Sequence, residues 1–143
     1  MERVLVIMPL GKDQAVISKR RVLSDLFGDS IWLPEINEAV DPAFDLKSTI
    51  ARLGDVCFVI ADLSYERPSC YYELGIVQGL GIPTFLIAKK DTVLHQHHGR
   101  VHRYGGIEEY KKIVRRAHAE WGDQRGKAGF SRDCSIPISS NGS

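Results

Sequence analysis

Residues 55–89 read DVCFVIADLSYERPSCYYELGIVQGLGIPTFLIAK, and the architecture follows from them. Residues 56–61, VCFVIA, form a short apolar run rich in β-branched side chains. Such a run is how a strand reads when both of its faces are covered, as in a parallel sheet. Residues 62–69 are polar and contain Pro68, so they read as a loop. Ser69 is a candidate cap for a following helix, because its hydroxyl can accept a first-turn N–H. Leu74, Val77 and Leu80 recur at helical spacing, and Gly81 suits the position just past a helix end. Residues 83–88 then read as the next buried strand. The unit is β-α-β, which predicts a right-handed crossover between parallel strands. Open α/β sheets hold ligands just beyond the carboxyl ends of their strands, and Glu73 is placed near that mouth.

The rest of the chain extends the same alternation. Residues 3–8, RVLVIM, read as a first strand that stops at Pro9. A helix is predicted over 13–27, with Val16, Val22, Leu23, Leu26 and Phe27 as the apolar stripe. Lys19, Arg20 and Arg21 fall on its wet face. Residues 30–33 read as a short strand, and 41–53 as a helix opened by Asp41-Pro42. Residues 89–103 read as an exposed, histidine-rich loop, with a short strand over 101–104. Residues 107–121 are strongly periodic, with Ile113, Val114, Ala117 and Trp121 facing inward. These elements predict a three-layer, flavodoxin-like (Rossmann-like) α/β domain over 1–121, followed by a flexible tail over 122–143. By analogy with flavodoxin-like sheets, the parallel sheet has four or five strands in the order 2-1-3-4-5.

Composition bounds the function. A chain of 143 residues suits one domain with a real core. A net charge of +1 argues for neither a nucleic-acid nor a membrane-surface partner. No apolar run approaches the roughly 20 residues that span a bilayer, and the N-terminal apolar run is too short for a signal peptide. The cysteines number three, Cys57, Cys70 and Cys134, and show no paired spacing. With no disulfide framework and no paired CxxC, the pattern is read as an intracellular, reducing, cytoplasmic setting.

Chemistry is best sought among the carboxylates. A glutamate in the first turn of a helix is favoured as the ionised form by the helix dipole. Enzymes that break sugar C–X bonds commonly use two acids, one as nucleophile or charge stabiliser and one for proton transfer. Glu73 is the main candidate for the first role. Asp62, at a strand end, and Asp45, early in the preceding helix, are candidates for the second. Each has a plainer alternative: Glu73 as a solvated helix-start charge, Asp62 as a tie for its own loop, Asp45 as a helix N-terminal charge. Arg67 lies in the right loop to meet a phosphate. Tyr71 and Tyr72 flank the glutamate, and one of them should pack inward while the other lines the crevice.

The segments Ala61-Asp62-Leu63-Ser64, Pro68 and Tyr72-Glu73-Leu74-Gly75 resemble the pattern of nucleoside 2-deoxyribosyltransferase-like proteins, a group that includes nucleotide N-glycosidases. Met8-Pro9-Leu10-Gly11 is similar to that family's first strand and the loop facing its sugar or phosphate. The resemblance spans about residues 3–120. It implies that Glu73 takes the sugar at C1′ and that Asp45 stands near an acid assisting the base or binding the sugar. The loops after the first and third strands would then hold substrate, through Met8, Pro9, Leu10, Gly11, Ser64, Arg67, Ser69 and Tyr72. It also implies no cofactor, and a homodimer becomes plausible. Ser69-Cys70-Tyr71-Tyr72-Glu73-Leu74 is similar as well to the Cys-x-x-Glu-Leu stretch of TIR domains, some of which cleave NAD. The alternatives to a nucleoside or nucleotide N-glycosidase or transferase are therefore a TIR-like NADase or signalling domain, and a catalytically silent nucleotide-binding module.

Other motifs are weaker. No GxGxxG follows the first strand and no P-loop occurs. His95, His97, His98 and His102 match no zinc spacing, so they read as a solvated loop and no metal site is expected.

Overall fold

The computed structural model describes residues 3–8, 13–32, 50–51, 53–64, 68–94 and 99–128. These form strand β1 (Arg3–Ile7), helix α1 (Gln14–Phe27), a 3-10 turn (Gly28–Ser30) and strand β2 (Ile31–Trp32). Strand β3 (Val56–Asp62), helix α2 (Pro68–Gly79), strands β4 (Thr84–Lys89) and β5 (Val101–Tyr104) and helix α3 (Ile107–Ala128) follow. Every strand pairing is parallel, and the sheet runs β2-β1-β3-β4-β5. The chain is thus an α/β protein of Rossmann-like plan.

Side-chain alternation along β3 builds two cores at once. Phe58 and Ile60 join Val16, Leu23 and Phe27 of α1 and Tyr110, Val114 and Trp121 of α3. Val59 and Ala61 join Leu74 and Val77 of α2 on the other side. Covering both faces is why β3 reads as an uninterrupted apolar run.

Local chemistry sets the helix ends. Asp13 caps α1, its Oδ1 accepting the Val16 N–H at 2.9 Å. At the end of α2, Gly81 adopts φ 76°. The Gly81 N–H bonds the Gln78 carbonyl and the Ile82 N–H bonds that of Val77, each at 3.0 Å. That is a Schellman closure, and its left-handed residue favours glycine.

The structure corrects four sequence expectations. Lys19 is not on the wet face of α1 but is 6% exposed, because a phenol reaches it from β5. Helix α2 starts at Pro68, so Ser69 lies inside the helix instead of capping it, and proline at the first position needs no N–H partner. Helix α3 continues to Ala128, past the expected boundary at Trp121. Trp121 is buried there against Phe27, with the Arg125 guanidinium 4.7 Å from its ring, and those contacts carry the helix through Gly122. Cys57 is disulfide-bonded. A reducing compartment, expected from the lack of a disulfide framework, loses that support. No helix among the described residues is long and apolar enough to cross a membrane.

Candidate functional site at the carboxyl ends of the strands

From β1 the chain passes through α1 to β2 on one side of the sheet; from β3 it passes through α2 to β4 on the other. The direction of winding reverses between β1 and β3. A crevice opens at such a switch point because the connections leave in opposite directions. Met8, 4% exposed, follows the end of β1, and Asp62 ends β3.

Helix α2 begins just after that end and runs back along the sheet. Glu73 lies in its second turn, not its first, since the first turn holds no acid. Helix-dipole support is therefore weaker than the sequence reading supposed. Glu73 is half-buried and shares a helix side with the fully buried Val77. The Cα–Cβ bonds of a helix tilt toward its N-terminus, which for α2 is the crevice end. Tyr71 packs against the apolar cluster beneath α2, whereas Tyr72 is 42% exposed. The tyrosine pair is thereby divided into one core and one surface ring.

Asp62 is 1% exposed and its carboxylate is heavily engaged. Oδ1 accepts the Ser64 N–H at 3.0 Å and the Ser64 hydroxyl; Oδ2 accepts the Tyr104 hydroxyl at 2.8 Å. Ser64 Oγ in turn accepts the Lys89 N–H at 2.9 Å. Lys19 Nζ donates to the Tyr104 oxygen at 2.7 Å and lies 4.8 Å from the centre of that ring. Both hydroxyl protons go to Asp62, so the 3.1 Å separation of Ser64 Oγ and Tyr104 Oη is a contact between their oxygens. The network ties α1, β3, β4 and β5 together at one end of the sheet. These are the bonds of a loop-tying aspartate, and they make Asp62 and Ser64 holders of the turn that leads into α2.

Lys19 and Tyr104 were absent from the sequence-based site. Nothing in their local sequence marks them, since both belong to amphipathic patterns that explain them without a partner. Beside Tyr104, with ring centres 5.0 Å apart, Tyr110 is fully buried and its hydroxyl has no hydrogen-bond partner among the described residues. Burial pushes its phenol well above the ordinary value, and Asp62 and Tyr104 add to the shift.

Asp45, Pro9, Leu10, Gly11 and Arg67 lie outside the described residues, as do the side chain of Ser69 and the histidines at 95, 97 and 98. His102 belongs to β5, stacked on Phe85 at 4.2 Å between ring centres. Among the described residues no group of three or more His, Cys, Asp or Glu side chains is arranged to hold a metal. Comparison with protein-family models, with curated proteins and with solved structures finds no match.

Proposed function

We propose that this chain cleaves or transfers the N-glycosidic bond of a nucleoside or nucleotide, with Glu73 as the nucleophile. The reading treats the sheet as flavodoxin-like, with substrate lying over the β1–β3 switch point. The observation that carries it is Glu73 itself: a half-buried carboxylate on a helix that starts where β3 ends. In the proposed step a Glu73 oxygen bonds to C1′ as the C1′–N bond breaks. The bonding pair leaves with the base nitrogen, which takes a proton from an acid for which Asp45 is the candidate. Water, or the nitrogen of a second base, then attacks C1′ and frees Glu73. Asp62 and Ser64 act here by holding the turn into α2 and do not touch the sugar.

The test is a survey of base release from nucleosides, 5′-nucleotides, their deoxy forms and NAD, run beside Glu73→Gln. The reading expects release that falls by about 10³-fold or more in the variant, as for loss of a nucleophile. Release undiminished by the substitution removes Glu73 from the mechanism. Turnover of NAD alone replaces this reading with a TIR-like NADase. Tight nucleotide binding with no turnover, unchanged by the substitution, makes the chain a silent binding module.

A further inference from the structure

A second concave feature lies on the side of the sheet opposite α2, between edge strand β5 and helix α3. It is a cleft of about 250 Å³ lined by His102, Arg103, Glu109, Lys112, Ile113 and Arg116. Pockets for drug-sized ligands start at roughly 300 Å³, so this space suits a compact group. Its charge is strongly one-sided. The acid in the lining, Glu109, is already used: its Oε2 meets Lys90 Nζ at 2.9 Å and its Oε1 accepts the Gly105 N–H at 3.0 Å. The Lys90 hydrogen bond leads the causes that hold the Glu109 carboxyl below its usual range. A β-carbon at Gly105 would stand 2.5 Å from Glu109 Oε1, so glycine is what lets the carboxylate fold back there.

Lys112 and Arg116 are one helical turn apart on α3 and face the same cleft. Neither makes an ion pair with a described residue. Arg103 spends Nη1 on the carbonyls of Lys89 and Thr92, at 2.9 and 2.7 Å, which fixes its guanidinium beside β5. Ile113 forms an apolar floor, 8% exposed. The His102 imidazole is held below its ordinary pKa, first by burial and then by Arg100 and Arg116.

We propose that this cleft is a binding site for a compact phosphate-bearing anion, gripped by Lys112 and Arg116 with Arg103 as the fixed rim cation. Two cations one turn apart can bracket a tetrahedral oxyanion, and charge-assisted hydrogen bonds are the strong ones. The site lies on the opposite side of the sheet from Glu73 and does not depend on the reaction proposed at that residue.

The probe is inorganic pyrophosphate, titrated into the full chain at constant ionic strength and followed by backbone amide shifts. Saturable shifts at residues 102–103 and 112–116 are expected. Lys112→Ala/Arg116→Ala should weaken binding by about tenfold or more. Lys111→Ala/Arg115→Ala removes the same charge from neighbouring positions outside the lining and should leave affinity within about twofold, the level of screened surface charge. Equal weakening by both double variants would show general attraction to a basic surface and overturn the proposal. So would shifts scattered over the protein without saturation, and so would saturable binding of polyglutamate with none of pyrophosphate, which would assign the cleft to an acidic polypeptide.

Discussion

The ammonium of Lys19 and the phenol of Tyr104 meet at 2.7 Å inside the domain, although 85 positions separate them in the chain. Through the Tyr104 hydroxyl, Lys19 is joined to Asp62 and hence to the turn that launches α2. A cation and a carboxylate are thus held in the interior by a shared hydroxyl, with no direct pair between them. Removing a buried group whose partners remain costs more than replacing a whole side chain by an apolar one of similar shape.

That asymmetry predicts an order of stabilities. Tyr104→Phe strands both Lys19 Nζ and Asp62 Oδ2 and should cost about 1–3 kcal/mol. Each kcal/mol should lower Tm by roughly 3–5 °C at this chain length. Lys19→Met leaves the Tyr104–Asp62 bond in place and should cost less. Thermal unfolding followed by circular dichroism ranks the two, and a reversed order would mean that Tyr104 is not the hub.

Tyr110 predicts the opposite sign. Its hydroxyl is buried without a partner among the described residues, so Tyr110→Phe should be neutral or stabilising, by up to about 1 kcal/mol. The phenol of the folded chain keeps its proton at a pH where that of the unfolded chain loses it. The native state then binds more protons, so stability is present below about pH 10 and falls as pH rises beyond it. Denaturant midpoints from pH 8 to 11 should show a shallower alkaline decline for Tyr110→Phe than for the parent chain. Parallel curves would refute the assignment.

His102 should titrate below the ordinary histidine value, and Arg116→Ala should move it back up. The depressed pKa means that the unfolded chain binds the proton first. The contribution to stability is therefore present above about pH 6.5 and lost as pH falls through the folded value. A titration of the His102 ring protons by NMR reads the pKa directly. A value unmoved by Arg116→Ala would mean that the arginine field does not reach the ring.

Trp121 anchors the far part of α3. It is 6% exposed, with ring centres 5.4 Å from Phe27 and 5.7 Å from His118. Trp121→Ala should cost about 3–5 kcal/mol, the usual loss for a large buried aromatic. Carbon chemical shifts should also lose helical character over 122–128, which Trp121 holds to the core through Phe27 and Arg125. Retention of that helix in the variant would show that local propensity alone sustains it.

Much of the architecture was legible in one dimension. The apolar run of β3, the 3.6-residue period of α1 and α3, and Gly81 after α2 are short-range patterns. Each element's interior face is written within its own few turns. The division of the chain into alternating strands and helices belongs to the same class, whereas the cap by Asp13 emerged only from the folded chain. Glu73 could be singled out because a carboxylate between an apolar strand and an apolar helix face stands against its surroundings.

One-dimensional pattern was enough for the alternation of elements and most of their inward faces, and it narrowed the candidate acids to Glu73, Asp62 and Asp45. It took the folded chain to show that Lys19 is buried, that Asp62 and Ser64 serve a network closed by Tyr104, that Cys57 is paired, and that Lys112 and Arg116 share a cleft with β5. The physical reason is range. Hydrophobic periodicity is a property of neighbours along the chain, whereas a buried charge or a shared cleft depends on which distant groups arrive to meet it.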